Sequence, residues 1–300
     1  MNSVSSQKGV AAAFGMERRA DYADWRARKL ETLCTSVDSL RVDVSNPLAV
    51  SSAEKTALLQ RLAQHNMAVY RITGELSADK ALVHALGKSL GLVRLDNNLR
   101  ADEDSITSLE VRSQQGNQYI PYTNHRLSWH TDGYYNRLDQ QVYGIIMHCV
   151  RPAAEGGENA LIDHELMYIR LRDENPAYIE ALMQPQAMTI PPNVENGVEI
   201  RPAQSGPVFS LHAGSGRLHM RYSARKRNIE WFNDAITRSA AAAITDFLQD
   251  ESITCRYRLG AGEGIVCNNV LHNRSAFVDD ARHKRLMYRA RYHDHALALK

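Results

Sequence analysis

From about residue 109 onward the chain is a succession of short β-prone runs separated by Gly- and Asn-containing turns. No other feature limits its fold as much. Runs at 109–112, 142–149, 159–162, 187–190, 208–212, 218–222, 253–259, 264–268 and 286–292 are each four to eight residues long. Many short strands with turn signals between them predict a sandwich or barrel. Helical patterning interrupts this series at 163–182 and 229–248, as expected for helices packed outside a β core. The first third is more helical. Residues 17–33 carry apolar and aromatic side chains at helical spacing, and Ser51-Ser52-Ala53-Glu54 is an N-cap signature for a helix reaching about residue 65. A strand follows at 67–72, then a further helix from 77–80 to about residue 90. No repeat or Pro/Gly/Ser linker divides the chain. One domain over 17–300 is therefore expected, behind a loose segment at 1–16.

Composition excludes several classes of partner. Lys and Arg number 36 against 34 acids, a formal charge of +2, which argues against bulk nucleic-acid or membrane-surface binding. No run approaches the ~18 apolar residues of a membrane span. Cys34, Cys149, Cys255 and Cys267 lie far apart with no C-x-x-C spacing, so reduced thiols and a cytoplasmic location are expected. The apolar run at 10–16 is short for a signal segment and lacks a basic lead-in. The most basic run, 216–227, is either a solvated surface or a lid presenting Arg221 or Arg225 to an acidic substrate. Oligomerisation is left open.

The chemistry concentrates in Leu127-Ser-Trp-His-Thr-Asp-Gly-Tyr-Tyr135. On a strand, positions i and i+2 share a face, so His130 and Asp132 could serve one ion. The pair alone equally describes a hydrogen-bonded His beside a solvated Asp. At the far end, Gly264-Ile-Val-Cys-Asn-Asn-Val-Leu-His272 reads as a strand delivering His272 near its end. Two histidines and a carboxylate on one face of an octahedron leave three positions open, the arrangement of non-haem Fe(II) oxygenases. Arg285 follows thirteen residues later, and Arg285, Arg289 and Arg291 would share one face of a regular strand at 286–292. Such a face is solvated, ion-paired to the helices, or built to meet anions. His293-Asp294-His295 has the same spacing as the first pair but reads as a solvated tail.

Together these residues resemble the taurine-dioxygenase and clavaminate-synthase-like superfamily of Fe(II)/2-oxoglutarate-dependent oxygenases. That superfamily carries H-x-D/E, a distant His, and an Arg a dozen or so residues beyond. Here the four are His130, Asp132, His272 and Arg285. The flanks Ile120-Pro-Tyr-Thr123, Trp129 and Cys149-Val-Arg-Pro-Ala-Ala-Glu-Gly-Gly157 are similar too, and the resemblance covers about residues 67–292.

The resemblance implies an α+β fold with a double-stranded β-helix (jelly-roll) core and flanking helices. It implies Fe(II) held by His130, Asp132 and His272, with 2-oxoglutarate and O2 as cosubstrates. Arg285 would anchor the far carboxylate of 2-oxoglutarate, as a guanidinium can bidentately. Where the superfamily often has a Thr touching 2-oxoglutarate, this chain has Asn159, whose amide can also bond a carboxylate. Arg289 would meet the anion of a small polar, anionic or amino-acid-like substrate. Tyr134 and Tyr135 would form an aromatic wall or pack the barrel, and Asn97 and Asn98 lie in a loop of the kind that lines the substrate mouth. The implied reaction is hydroxylation with release of succinate and CO2. Desaturation or ring formation by the same chemistry, or a non-catalytic metal- or ligand-binding barrel, are the alternatives.

Overall fold

A computed structural model describes residues 13–34, 36–75, 78–97, 105–111, 120–225 and 229–297. Two β-sheets organise it. The larger has six strands in the order Arg41–Val44, Met67–Ile72, Glu263–Cys267, Gly144–Arg151, Leu286–Tyr292, Thr107–Leu109. Its first pair is parallel and the others are antiparallel. The smaller has the order Cys255–Tyr257, Asn159–Ile162, Leu271–Arg274, Leu127–His130, all antiparallel.

Strand alternation divides the side chains into layers. Met67, Val69, Ile145, Cys149, Ile265, Cys267 and Met287 of the large sheet meet Leu161 and Cys255 of the small one in an inner core. The opposite face of the large sheet, including Tyr70, Ile146, Val266 and Tyr288, packs on the helices Ser52–His65 and Ala81–Ser89. The opposite face of the small sheet, through Trp129, Ala160, Ile162 and Leu271, packs on the helices His164–Glu174, Pro176–Leu182 and Ala235–Phe247. The layers therefore run helix, sheet, sheet, helix. Residues at 272, 289 and 291 fall on the inward faces by the same alternation.

Local chemistry explains the element boundaries. Both bonds of the capping box form at Ser51: its hydroxyl accepts from the Glu54 N–H, and the Glu54 carboxylate accepts from the Ser51 N–H. The helix expected across 163–182 is two helices. Asn175 precedes Pro176 and is extended (φ −156°, ψ 110°), because a residue before proline avoids the helical region. Its side chain caps the second helix at the Ala177 N–H, 3.1 Å away. The helix expected from 229 begins at Ala235, capped by Asp234.

Three further expectations are corrected. The strand expected across 264–272 is broken: Glu263–Cys267 belongs to the large sheet and Leu271–Arg274 to the small one. The crossover is made at Asn268 and Asn269, the latter in the left-handed region (φ 50°), which Asn tolerates better than β-branched residues. The loose segment at 1–16 is not loose at its end. Ala13 and Phe14 are buried, and the Phe14 ring packs edge-on against Trp25 (4.9 Å) and Tyr168 (5.3 Å). The tail at 293–295 is held as well: Asp294 accepts from the Val93 and Arg94 N–H groups, and the His295 ring lies 4.6 Å from Tyr143. Residues 1–12, Asn98, Arg112, Lys226 and Arg227 lie outside the described residues. Among the described residues no helix is long and apolar enough to cross a membrane.

Candidate metal centre

His130 ends its strand, and His272 is its direct register partner on the neighbouring strand. Their rings stand 4.3 Å apart, centre to centre. Asp132 is not on the strand with His130, contrary to the expectation. It lies two residues on, in the turn before Gly133, whose φ of +67° suits glycine. The turn swings the carboxylate back, so that Oδ1 lies 3.5 Å from His130 Nε2. One ligand atom from each of His130, Asp132 and His272 falls within 4.8 Å of the others.

The imidazoles are oriented alike. His130 Nδ1 lies 2.9 Å from the Ser128 carbonyl, and His272 Nδ1 lies 2.9 Å from the Val270 carbonyl. Each Nδ1 therefore carries the proton and donates it, which leaves each Nε2 with a lone pair for an ion. Burial, reinforced by the His130 ring, pushes His272 down to about 4, so it is neutral at physiological pH. For Asp132, burial acts upward. The Arg289 guanidinium and, behind it, the Arg291 charge outweigh it and hold the carboxyl well below the usual range. Arg289 Nη1 lies 3.3 Å from Asp132 Oδ1, while Oδ2 is buried with no hydrogen-bond partner. A buried, ionised oxygen without a partner beside two imidazole Nε2 atoms, whose rings are held by their Nδ1 atoms, fits a divalent transition metal.

Asn269 is a positioning residue that the sequence reading missed. Its Oδ1 accepts from the Asp132 N–H at 2.8 Å, and its Nδ2 donates to the Asp132 and Val142 carbonyls at 2.9 and 2.7 Å. The signal available was the Asn268-Asn269 doublet, which marks a turn inside an otherwise strand-like run.

Residues 27–291 match the family described as "Taurine catabolism dioxygenase TauD, TfdA family". The chain belongs to the TauD/TfdA family. It is similar to an Amycolatopsis uridine-5'-phosphate dioxygenase, with 29% identity over 174 residues covering 55% of this chain and 60% of that protein. The chain thus spans about three-fifths of that relative's length. A Streptomyces uridine-5'-phosphate dioxygenase is 27% identical over 203 residues, 64% of this chain and 71% of that protein. Among solved structures, an asparagine oxygenase in complex with Fe(II), 3-hydroxyasparagine and succinate superimposes with a TM-score of 0.57 at 13% identity, covering 84% of this chain and 93% of that one. That likeness shows a shared fold.

In this TauD/TfdA member a narrow cleft opens beside the triad, lined by His272, Asn159, Arg274, Arg285 and Arg289 among others. Arg285 lies just before its strand, where the register slips between Leu286 and Met287. It therefore leaves the regular alternation that would have aligned it with Arg289 and Arg291. Its guanidinium sits over the Phe277 ring (5.1 Å), and burial pushes it down to about 10. Gly156 allows that wall to form: a Cβ there would lie 2.3 Å from the Ala276 carbonyl oxygen. Asn159 is buried opposite Arg274 on the adjacent strand.

The other expected residues are distributed differently. Tyr134 packs edge-on to His130 (6.5 Å) and to Tyr135 (5.2 Å). The Tyr135 hydroxyl accepts from Arg291 Nη1 at 3.0 Å, and Arg291 also pairs with Asp96. Asn97 is exposed and accepts from the Ser105 hydroxyl, and it does not line the cleft. Arg225 is exposed. Arg221 corrects the lid reading: it is 1% exposed and donates to the carbonyls of Pro207, Tyr134, Gln204, Met188 and Gly206. Five carbonyls use all five donors of a guanidinium, which leaves none for a substrate.

Proposed function

We propose that the chain is an Fe(II)- and 2-oxoglutarate-dependent dioxygenase that hydroxylates an unactivated C–H of a small anionic metabolite. The overall reaction consumes 2-oxoglutarate and O2 and yields the alcohol, succinate and CO2. The observation that carries this reading is the convergence of His130, Asp132 and His272, each imidazole held by its Nδ1 so that Nε2 is free. When bound there, iron with its cosubstrates supplies the oxidant for C–H cleavage.

This chain's own residues do the rest. Arg285 binds the far carboxylate of 2-oxoglutarate, with the Asn159 amide beside it. Arg289, on the inward face between the sheets, meets the substrate anion and neutralises Asp132. Tyr134 and Tyr135 wall the triad and keep water from the reacting carbon. Two curated relatives act, by name, on uridine 5'-phosphate. A phosphate- or carboxylate-bearing small molecule is accordingly the substrate class, with nucleoside 5'-monophosphates the first to test. Residues 17–300 act as one cytoplasmic catalytic domain whose two facing sheets form the double-stranded β-helix, and neither nucleic acid nor membrane is a partner.

Anaerobic Fe(II) and 2-oxoglutarate should together produce a weak visible charge-transfer band. Under air, a panel of nucleoside monophosphates, amino acids, sulfonates and small acids should reveal a compound that stimulates succinate release. Absence of the band together with no stimulated succinate would overturn the proposal.

A further inference from the structure

We propose that Arg274 is a second cationic anchor for the far carboxylate of 2-oxoglutarate, working beside Arg285. The inference rests on the 2-oxoglutarate reading above and adds a residue to it.

The strand Leu271–Arg274 pairs with Asn159–Ile162 residue for residue without slippage. Leu271 belongs to the outer core and Leu161, the partner of His272, to the inner one. His272 and Arg274 therefore share the inward face, about 6.6 Å apart along the strand. The Arg274 and Arg285 guanidinium carbons lie 4.8 and 5.1 Å from the centre of the same Phe277 ring, and both residues line the cleft that holds His272.

Both are buried, at 4% exposure each, and neither makes an ion pair with a described carboxylate. Two neighbouring buried guanidiniums repel each other and lose hydration, so the site favours an anion between them. Arg274 Nη2 donates to the Thr123 and His125 carbonyls, which fixes the plane of the group, while its Nε is buried and unpartnered. The guanidinium is thus preorganised, with no described acceptor for Nη1.

The test compares 2-oxoglutarate with 2-oxopentanoate, a 2-oxo acid of equal length that lacks the far carboxylate. Binding of each is titrated anaerobically against the full-length, Fe(II)-loaded protein and its Arg274→Gln and Arg274→Lys variants. Arg274→Gln should weaken 2-oxoglutarate roughly tenfold to a hundredfold, the size of a lost charge-assisted contact. It should leave 2-oxopentanoate within about twofold, and Arg274→Lys should fall between. Equal weakening of both acids would make Arg274 a purely structural brace, and no weakening of either would remove it from the site; both results overturn the inference alone. If the unsubstituted protein fails to bind 2-oxoglutarate at all, the function proposed above falls and this inference falls with it.

Discussion

Asn269 holds the backbone of Asp132 at both its N–H and its carbonyl. One amide side chain thereby ties the turn that carries the candidate metal-binding carboxylate to the crossover that leads into His272. The placement of Asp132 is a property of this pair rather than of strand alternation.

Asn269→Ala should leave the Asp132 N–H and two buried carbonyls without partners, at a cost of roughly 2–3 kcal/mol. Iron affinity should fall about 10- to 100-fold, as for other residues that orient ligands. Asn269→Gly relieves the left-handed backbone without restoring the amide, so it should recover part of the stability but not the affinity. Chemical denaturation and anaerobic Fe(II) titration report the two effects separately. Normal iron affinity in both variants would show that the turn holds Asp132 unaided.

Arg285→Met should reduce 2-oxoglutarate affinity by about 10- to 100-fold. Fe(II) affinity should change little, because Arg285 has no hydrogen bond to the triad. The charge-transfer titration measures the first and a metal titration without cosubstrate the second. Unchanged 2-oxoglutarate affinity would remove Arg285 from the cosubstrate site.

Arg221→Ala should destabilise the fold strongly, by roughly 3 kcal/mol or more, since five carbonyls around a fully buried guanidinium lose their donor. Arg221→Lys offers three donors and should recover only part. In the folded fraction, KM for substrate should be unchanged. A selective rise in KM with normal thermal stability would restore the lid reading of this residue.

Acid should begin to weaken the fold at a higher pH than carboxylate protonation alone would. Burial pushes His148 down to about 4; burial, with the His164 and Arg221 charges adding to it, pushes His219 down to about 3. An unfolded imidazole takes its proton near 6.5, about 2.5 units above the folded His148 value, a difference of roughly 3 kcal/mol. The unfolded chain therefore binds protons that the folded one refuses. Stability should be full above pH about 6.5 and decline as the pH falls toward 4. Urea denaturation across that range should show the decline, and His148→Gln should flatten it by up to one proton. An unaltered slope in the variant would mean that His148 does not contribute.

Much of this was legible in the residues themselves. The strands at 159–162 and 286–292 and the Ser51–Glu54 cap formed where the sequence places them, because alternation and capping chemistry are local. The three candidate metal ligands were legible as types and spacing. Their convergence was not, because it depends on His130 and His272 pairing across 142 positions of chain. The sheet crossover at Asn268-Asn269 was hidden by apolar residues on both sides, and Asn175-Pro176 stated a helix break that the flanking periodicity outweighed. The role of Arg221 was out of reach: a basic run looks like surface until the carbonyls around it are seen. Arg274 gave no signal, since one arginine in a short strand has many uses.

His130 sits in the outermost strand of the small sheet, with an isolated bridge to Ser223 on its far side. Such a strand has less to hold it than one flanked by full ladders on both sides, so its local opening is the natural exit route for a bound ion. Ion loss and the breathing of Leu127–His130 then become one equilibrium. A loaded ion riveting His130 to His272 should slow amide exchange in both strands together and leave the large sheet's interior almost unaffected.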